Sequence, residues 1–333
     1  MKGSLIRRAS ALILVSTAAV ATPTERYGVY RSTDRGRTWI RADAGMPNQS
    51  RIHAFGSVGE SLFAGTDSGV FRSSDEGRSW RPATGAAMTS GRVTSFATLG
   101  KRVVAGTDGQ GLLASVDEGG SWVRNPSLSS IKVRCLIAHE EALYAGTDAD
   151  GVFVLDGQAE VQARRREGLP ARAQVFALAV VDGRLFAGLY GQGLFIWSDR
   201  EGRWTKSGPV SPLALATAGR TLIAGHNPGG LHWSADFGVS WSRGTASLME
   251  PSRSSFDDPQ GALPMEAPVW ELAANEVVAL AGASKGVYRS EDHGRTWIRA
   301  QEGFPAYSPG VAFLLNRNFV LAGISMANRD AEP

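Results

Sequence analysis

Apolar runs ending in the dipeptide Ala-Gly recur along the chain at Ala64, Ala105, Ala145, Ala187, Ala224, Ala281 and Ala322. The steps between them are 41, 40, 42, 37, 57 and 41 residues. Each run follows a polar turn and an earlier apolar segment. Ile52, Val93, Val133, Val175, Pro212, Val269 and Gly310 all precede their alanine by the same 12 residues. Two short apolar segments held at fixed spacing around a turn predict a β-hairpin, its first strand buried and rich in Val, Phe, Leu and Ala.

Each Ala-Gly is followed by a short turn and a second hairpin. Five copies of that hairpin carry Ser-x-Asp-x-Gly-x-(Ser/Thr)-Trp, with Asp34, Asp75, Asp117, Asp236 and Asp292 as the acids and Trp39, Trp80, Trp122, Trp241 and Trp297 closing the motif. Local chemistry explains the pattern. The carboxylate accepts backbone N–H groups of a tight turn, the glycine supplies a positive φ, and the tryptophan buries roughly 150–250 Å², here expected against the next blade. These residues are therefore read as structural. Two copies have decayed: Leu155 to Ala163 has lost the motif, and Ser198 to Trp204 keeps its outline.

Each repeat thus supplies four strands. Such a sheet cannot bury both faces alone, so neighbours must stack around an axis. The chain opens with an outer hairpin, Gly28 to Arg41, and closes with an inner one, Gly310 to Ile324. Pairing these two closes the ring and removes free edges. The expected fold is all-β, a seven-bladed β-propeller of four-stranded blades. An eight-sheet variant would require Ile13 to Thr22 as a further strand. The long step inserts a polar, Pro-punctuated loop at about 249–267, expected on the face of the channel mouth, where long loops are often functional.

The five intact boxes resemble the Asp-box, or bacterial neuraminidase, repeat family of β-propellers. Single seven-bladed rings with Ala-Gly-Thr hairpins and such boxes are also similar to the photosystem II assembly and stability factors. That resemblance implies a protein-binding platform with an arginine-rich mouth or edge.

Composition refines this picture. Of 333 residues 40 are Gly and 9 are Trp, as box turns and blade staples require. The formal charge of +3 suggests a polyanion partner, but Lys2, Arg7 and Arg8 account for it. Residues 22–333 carry 32 basic and 32 acidic side chains, so no global field steers nucleic acid. Residues 1–21 read as a signal peptide: a basic start, an apolar stretch from Ala9 to Val20, and Ala19-Val20-Ala21 at the cleavage position. That stretch is shorter than the roughly 20 residues of a membrane span. The alternative is a buried strand of the body. The chain is expected to be exported to the periplasm or beyond, monomeric, and a single propeller domain over 22–333. Cys135, the one cysteine, reads as a small core residue.

Propellers bind at the mouth. The residues just before the 12-residue register begin Arg51, Arg92 and Lys132, a basic crescent on three consecutive blades. The loops after Ala-Gly add Asp67, Asp108 and Asp148, then Tyr190 and His226. This crescent suits a polar partner, protein or glycan; in the alternative each arginine pairs with an aspartate of its own or a neighbouring blade. No cofactor or metal is expected: the five histidines show no metal-ligand spacing. The competing class is an exo-acting glycoside hydrolase of sialidase type. The family resemblance implies an arginine clamp, a Tyr-Glu pair and an Asp acid for such an enzyme. Arg51, Arg92 and Tyr190 offer parts of this set. The Phe/Tyr-Arg-Ile-Pro motif is absent, and no glutamate is obviously placed to activate Tyr190.

Overall fold

In a computed structural model, residues 27–85, 91–226, 230–246, 268–283, 286–304 and 311–324 are described. The leader at 1–21, the Ile13 to Thr22 strand alternative and the insertion at 249–267 lie outside them. The described strands form seven sheets in a ring, each next to its sequence neighbours, with the last beside the first. The blades run Ile52–Pro82 (blade 1), Val93–Asn125 (2), Val133–Arg165 (3), Val175–Lys206 (4), Pro212–Arg243 (5) and Val269–Arg299 (6). Blade 7 is the composite: Val311–Leu315 and Val320–Ile324 continue into Gly28–Ser32 and Ile40–Arg41. Gly28–Ser32 lies antiparallel to Val320–Ile324, with Tyr30 opposite Ala322, so the two chain ends close the ring.

The repeat has a packing cause. The register residue of each of blades 1 to 6 sits over the Ala-Gly glycine of the blade before it. A Cβ on Gly106 would lie 2.8 Å from Val133 Cγ1, and one on Gly146 would lie 2.7 Å from Val175 Cγ1. Gly225 and Gly323 are filled in the same way by Val269 and Ile52. Only a glycine admits the next blade this closely. The hydrophobic core is accordingly divided into seven clusters, each shared by two adjacent blades.

The boxes fold as their chemistry dictates. Asp75 Oδ1 accepts the backbone N–H groups of Arg78 at 3.1 Å and Ser79 at 2.9 Å, and the Ser73 hydroxyl at 2.7 Å. The Ser73 hydroxyl in turn accepts Gly77 N–H at 2.9 Å. The decayed blade 3 keeps this logic without the motif, since Asp156 Oδ1 caps Gln158 and Glu160 N–H at 2.8 and 3.0 Å.

The tryptophans depart from expectation in direction. They pack against the preceding blade, not the next: the indole N–H groups of Trp39, Trp80 and Trp204 donate to Ala300, Ala42 and Arg165 carbonyls at 3.1, 2.9 and 3.2 Å. The reason lies in the segment after each outer strand, which crosses to the next box. Ala44 and Thr84 accept the backbone N–H of Trp80 and Trp122 at 2.8 and 3.2 Å. Before blade 6 this crossing is long enough to form a fifth, parallel strand, Thr245–Ala246 against Thr296–Trp297. Among the described residues no helix is long and apolar enough to cross a membrane.

Candidate functional site

The predicted crescent forms on blades 1 to 3, and its charges are paired. Arg51 approaches Asp67 at 3.9 Å. Arg92 bridges two acids, at 3.3 Å from Asp67 and 3.9 Å from Asp108, and Lys132 meets Asp108 at 3.2 Å. Asp148 pairs with Arg134 at 2.6 Å. The result is an alternating row from Arg51 to Lys132, with the Arg134–Asp148 pair beside it. Its members are partly exposed, which keeps each pair's stabilisation small, about 0–1 kcal/mol. The row fixes side-chain positions more than it adds stability.

Two channel residues missed by the sequence reading complete this arc. His53 Nε2 lies 2.7 Å from Asp67 Oδ1. Burial lowers the His53 pKa; the hydrogen bond to Asp67 and its charge oppose that shift. Burial raises the Asp67 carboxyl, but His53 and the two arginines outweigh it, leaving a net lowering. Arg134 also stacks over Phe176, 4.7 Å from its ring centre. Tyr190 stacks on Phe176 as well, with centroids 5.3 Å apart.

His226 does not join the crescent. It is buried in blade 5, where its Nδ1 accepts Ser211 N–H at 3.3 Å and its ring meets His232 edge-on at 4.7 Å. Burial, then the neighbouring His232, pulls its pKa down to about 4. Among the described residues no three His, Cys, Asp or Glu side chains gather to hold a metal ion.

Inside the mouth lies a cavity of about 330 Å³ lined by all seven inner strands. The first residue after the register position is His53, Thr94 and Arg134 on blades 1 to 3, but Phe176, Leu213 and Trp270 on blades 4 to 6. The channel is thus polar on one arc and apolar on the other. This split is legible in the sequence one place beyond the residues singled out there.

No protein-family model matches the sequence, and no curated protein sequence matches it. Solved structures match in shape. YCF48 bound to D1 peptide is 16% identical, covers 93% of this chain and 100% of its own, and has a TM-score of 0.60. YCF48 from Cyanidioschyzon merolae is 16% identical over 84% of this chain and 97% of its own, with a TM-score of 0.58. The GH74 xyloglucanase from Xanthomonas campestris is 17% identical over 84% of this chain but 52% of its own, with a TM-score of 0.63. At these identities the likeness is one of fold.

Proposed function

We propose that the protein is an exported, non-catalytic platform that holds a protein partner across the mouth of its channel. The observation that carries this reading is the paired crescent. Asp67, Asp108 and Asp148 are each engaged by basic side chains, so among these three no two carboxylates are left free to face each other as glycoside hydrolysis requires. Beside them Phe176 and Trp270, both half-buried, line a cavity in which a partner's side chain gains apolar contact. YCF48, a propeller of similar shape, is known in complex with a peptide. Export rests on the signal-like pattern of residues 1–21.

The test is affinity capture from envelope extract with the mature protein, beside turnover assays on chromogenic sialosides and glucosides. A captured protein lost on joint Arg51→Ala and Arg92→Ala substitution supports the platform. Turnover abolished by the same substitutions overturns it in favour of the hydrolase.

A further inference from the structure

The second residue after the register position lies opposite the Ala-Gly glycine in every blade. In six blades it is small: Ala54, Ser95, Cys135, Ala177, Ala214 and Ala312. Blade 6 departs from this. There the residue opposite Gly282 is Glu271, which extends into the channel among residues from all seven inner strands. A chain that keeps the slot small elsewhere and puts a long acid here has built a titratable carboxyl into the lumen.

That carboxylate has no hydrogen-bond or ion-pair partner among the described residues. The arginines of the mouth are engaged by Asp67, Asp108 and Asp148 on blades 1 to 3. Trp270, next to Glu271, is half-buried in the same wall, and its indole N–H is likewise without a partner there. An unpaired carboxyl and an indole ring lining one cavity can complement an organic cation in two ways, by charge and by cation–π contact. The cavity admits a side chain but not a folded element.

We propose that the channel of this platform receives one basic side chain of the protein partner, a lysine or arginine, with Glu271 as its counter-charge and Trp270 as its aromatic wall. This rests on the platform reading and names the partner chemistry it uses. Protein surrounds the Glu271 carboxyl except toward the lumen, and the resulting desolvation pushes its pKa up to about 8. An arriving cation therefore meets a protonated acid near pH 7 and displaces its proton. The other titratable groups around the lumen are His53, Arg134 and Cys135, with Asp67 and Asp148 behind the first two. Burial first, with the Glu271 charge a lesser contribution, pushes the Cys135 thiol up to about 12, so it stays protonated throughout.

The probe is acetyl-Gly-Lys-Gly-amide, compared with its Gln counterpart and with n-butylamine, titrated into the mature protein while the indole N–H resonances are followed by NMR. The lysine peptide is expected to shift the Trp270 resonance and to bind about tenfold tighter than the glutamine peptide or the amine. Glu271→Gln, nearly isosteric, is expected to abolish the preference for lysine. Glu60→Gln, on the turn at the far end of blade 1, keeps it. Wild-type calorimetry at pH 7 in buffers of different ionisation enthalpy is expected to show roughly one proton released per peptide bound, which needs no variant to fold. Equal binding of the Lys and Gln peptides, or an unchanged preference in Glu271→Gln, overturns the proposal. Butylamine binding as tightly as the peptide reassigns the site to free amines and overturns the partner assignment. A partner captured through Arg51 and Arg92, with no lysine preference, refutes this proposal while leaving the platform standing. Lysine binding without any captured partner leaves the lysine subsite itself standing and overturns its assignment to a protein partner.

Discussion

The crossing that ties one blade to the next makes a sharp prediction at Gly45. This residue follows Ala44, whose carbonyl accepts the Trp80 backbone N–H at 2.8 Å. Its φ is +83°, and a Cβ there would fall 2.2 Å from the Trp80 carbonyl oxygen. Gly45→Ala therefore incurs two costs. The left-handed backbone costs an alanine roughly 1–2 kcal/mol. The clash is with main chain, which cannot rotate away, so the crossing must move off the box, at about 1–3 kcal/mol. Gly100 supplies the control, because its φ is +61° and a Cβ there would meet nothing within 4 Å. Gly100→Ala carries the backbone cost alone. At roughly 2 °C per kcal/mol for a chain of this size, Gly45→Ala should lower the melting temperature by about 4–10 °C and Gly100→Ala by about 2–4 °C. Scanning calorimetry at a fixed scan rate reads both. Two variants melting within about 1 °C of each other would refute the idea that this crossing locks blade to blade.

Two further predictions concern pH. Partial burial raises the Asp75 carboxyl, but hydrogen bonds from Ser79, Ser73 and Arg78 outweigh it and hold it at about 2, below the ordinary 3.8. Its stabilisation is then fully present above about pH 4 and fades as pH falls through 2. Asp75→Ala should cost about 1 kcal/mol at pH 7, with the gap to wild type closing near pH 2 in urea titrations; a gap independent of pH contradicts this. His226, held near 4 against an ordinary 6.5, favours the folded state above pH 6.5 and loses that contribution as pH falls toward 4. Its imidazole should remain neutral at pH 5.5 by NMR, and His226→Phe should flatten the fall in stability between pH 6.5 and 4. A His226 titration midpoint near 6.5 would overturn the burial assigned to it.

Much of this molecule was legible in its sequence because its order is local. The 12-residue register and the box residues from Ser73 to Trp80 act within one hairpin, so spacing and residue type predicted strands, turns and blade number. Offset inner and outer hairpins at the two ends likewise implied the composite blade, since an open ring leaves edges unpaired. The pairing of Arg92 with both Asp67 and Asp108 was only one of two readings: Asp108 lies across its own hairpin, but Asp67 stands 25 positions away on blade 1 and meets it only when the blades are adjacent. The direction of tryptophan packing was misread for a related reason: it is fixed by where the chain crosses after Ala42, a path that no residue type announces. His226 looked like a mouth residue by position, yet the cross-strand neighbourhood of His232 buries it. Glu271 was the least visible of all. In the sequence it is one glutamate in an apolar strand. Only closure of seven blades around a lumen sets it, the single long side chain among small ones opposite the Ala-Gly glycines, in a desolvated place with no counter-charge among the described residues, because both are properties of the ring and not of one strand.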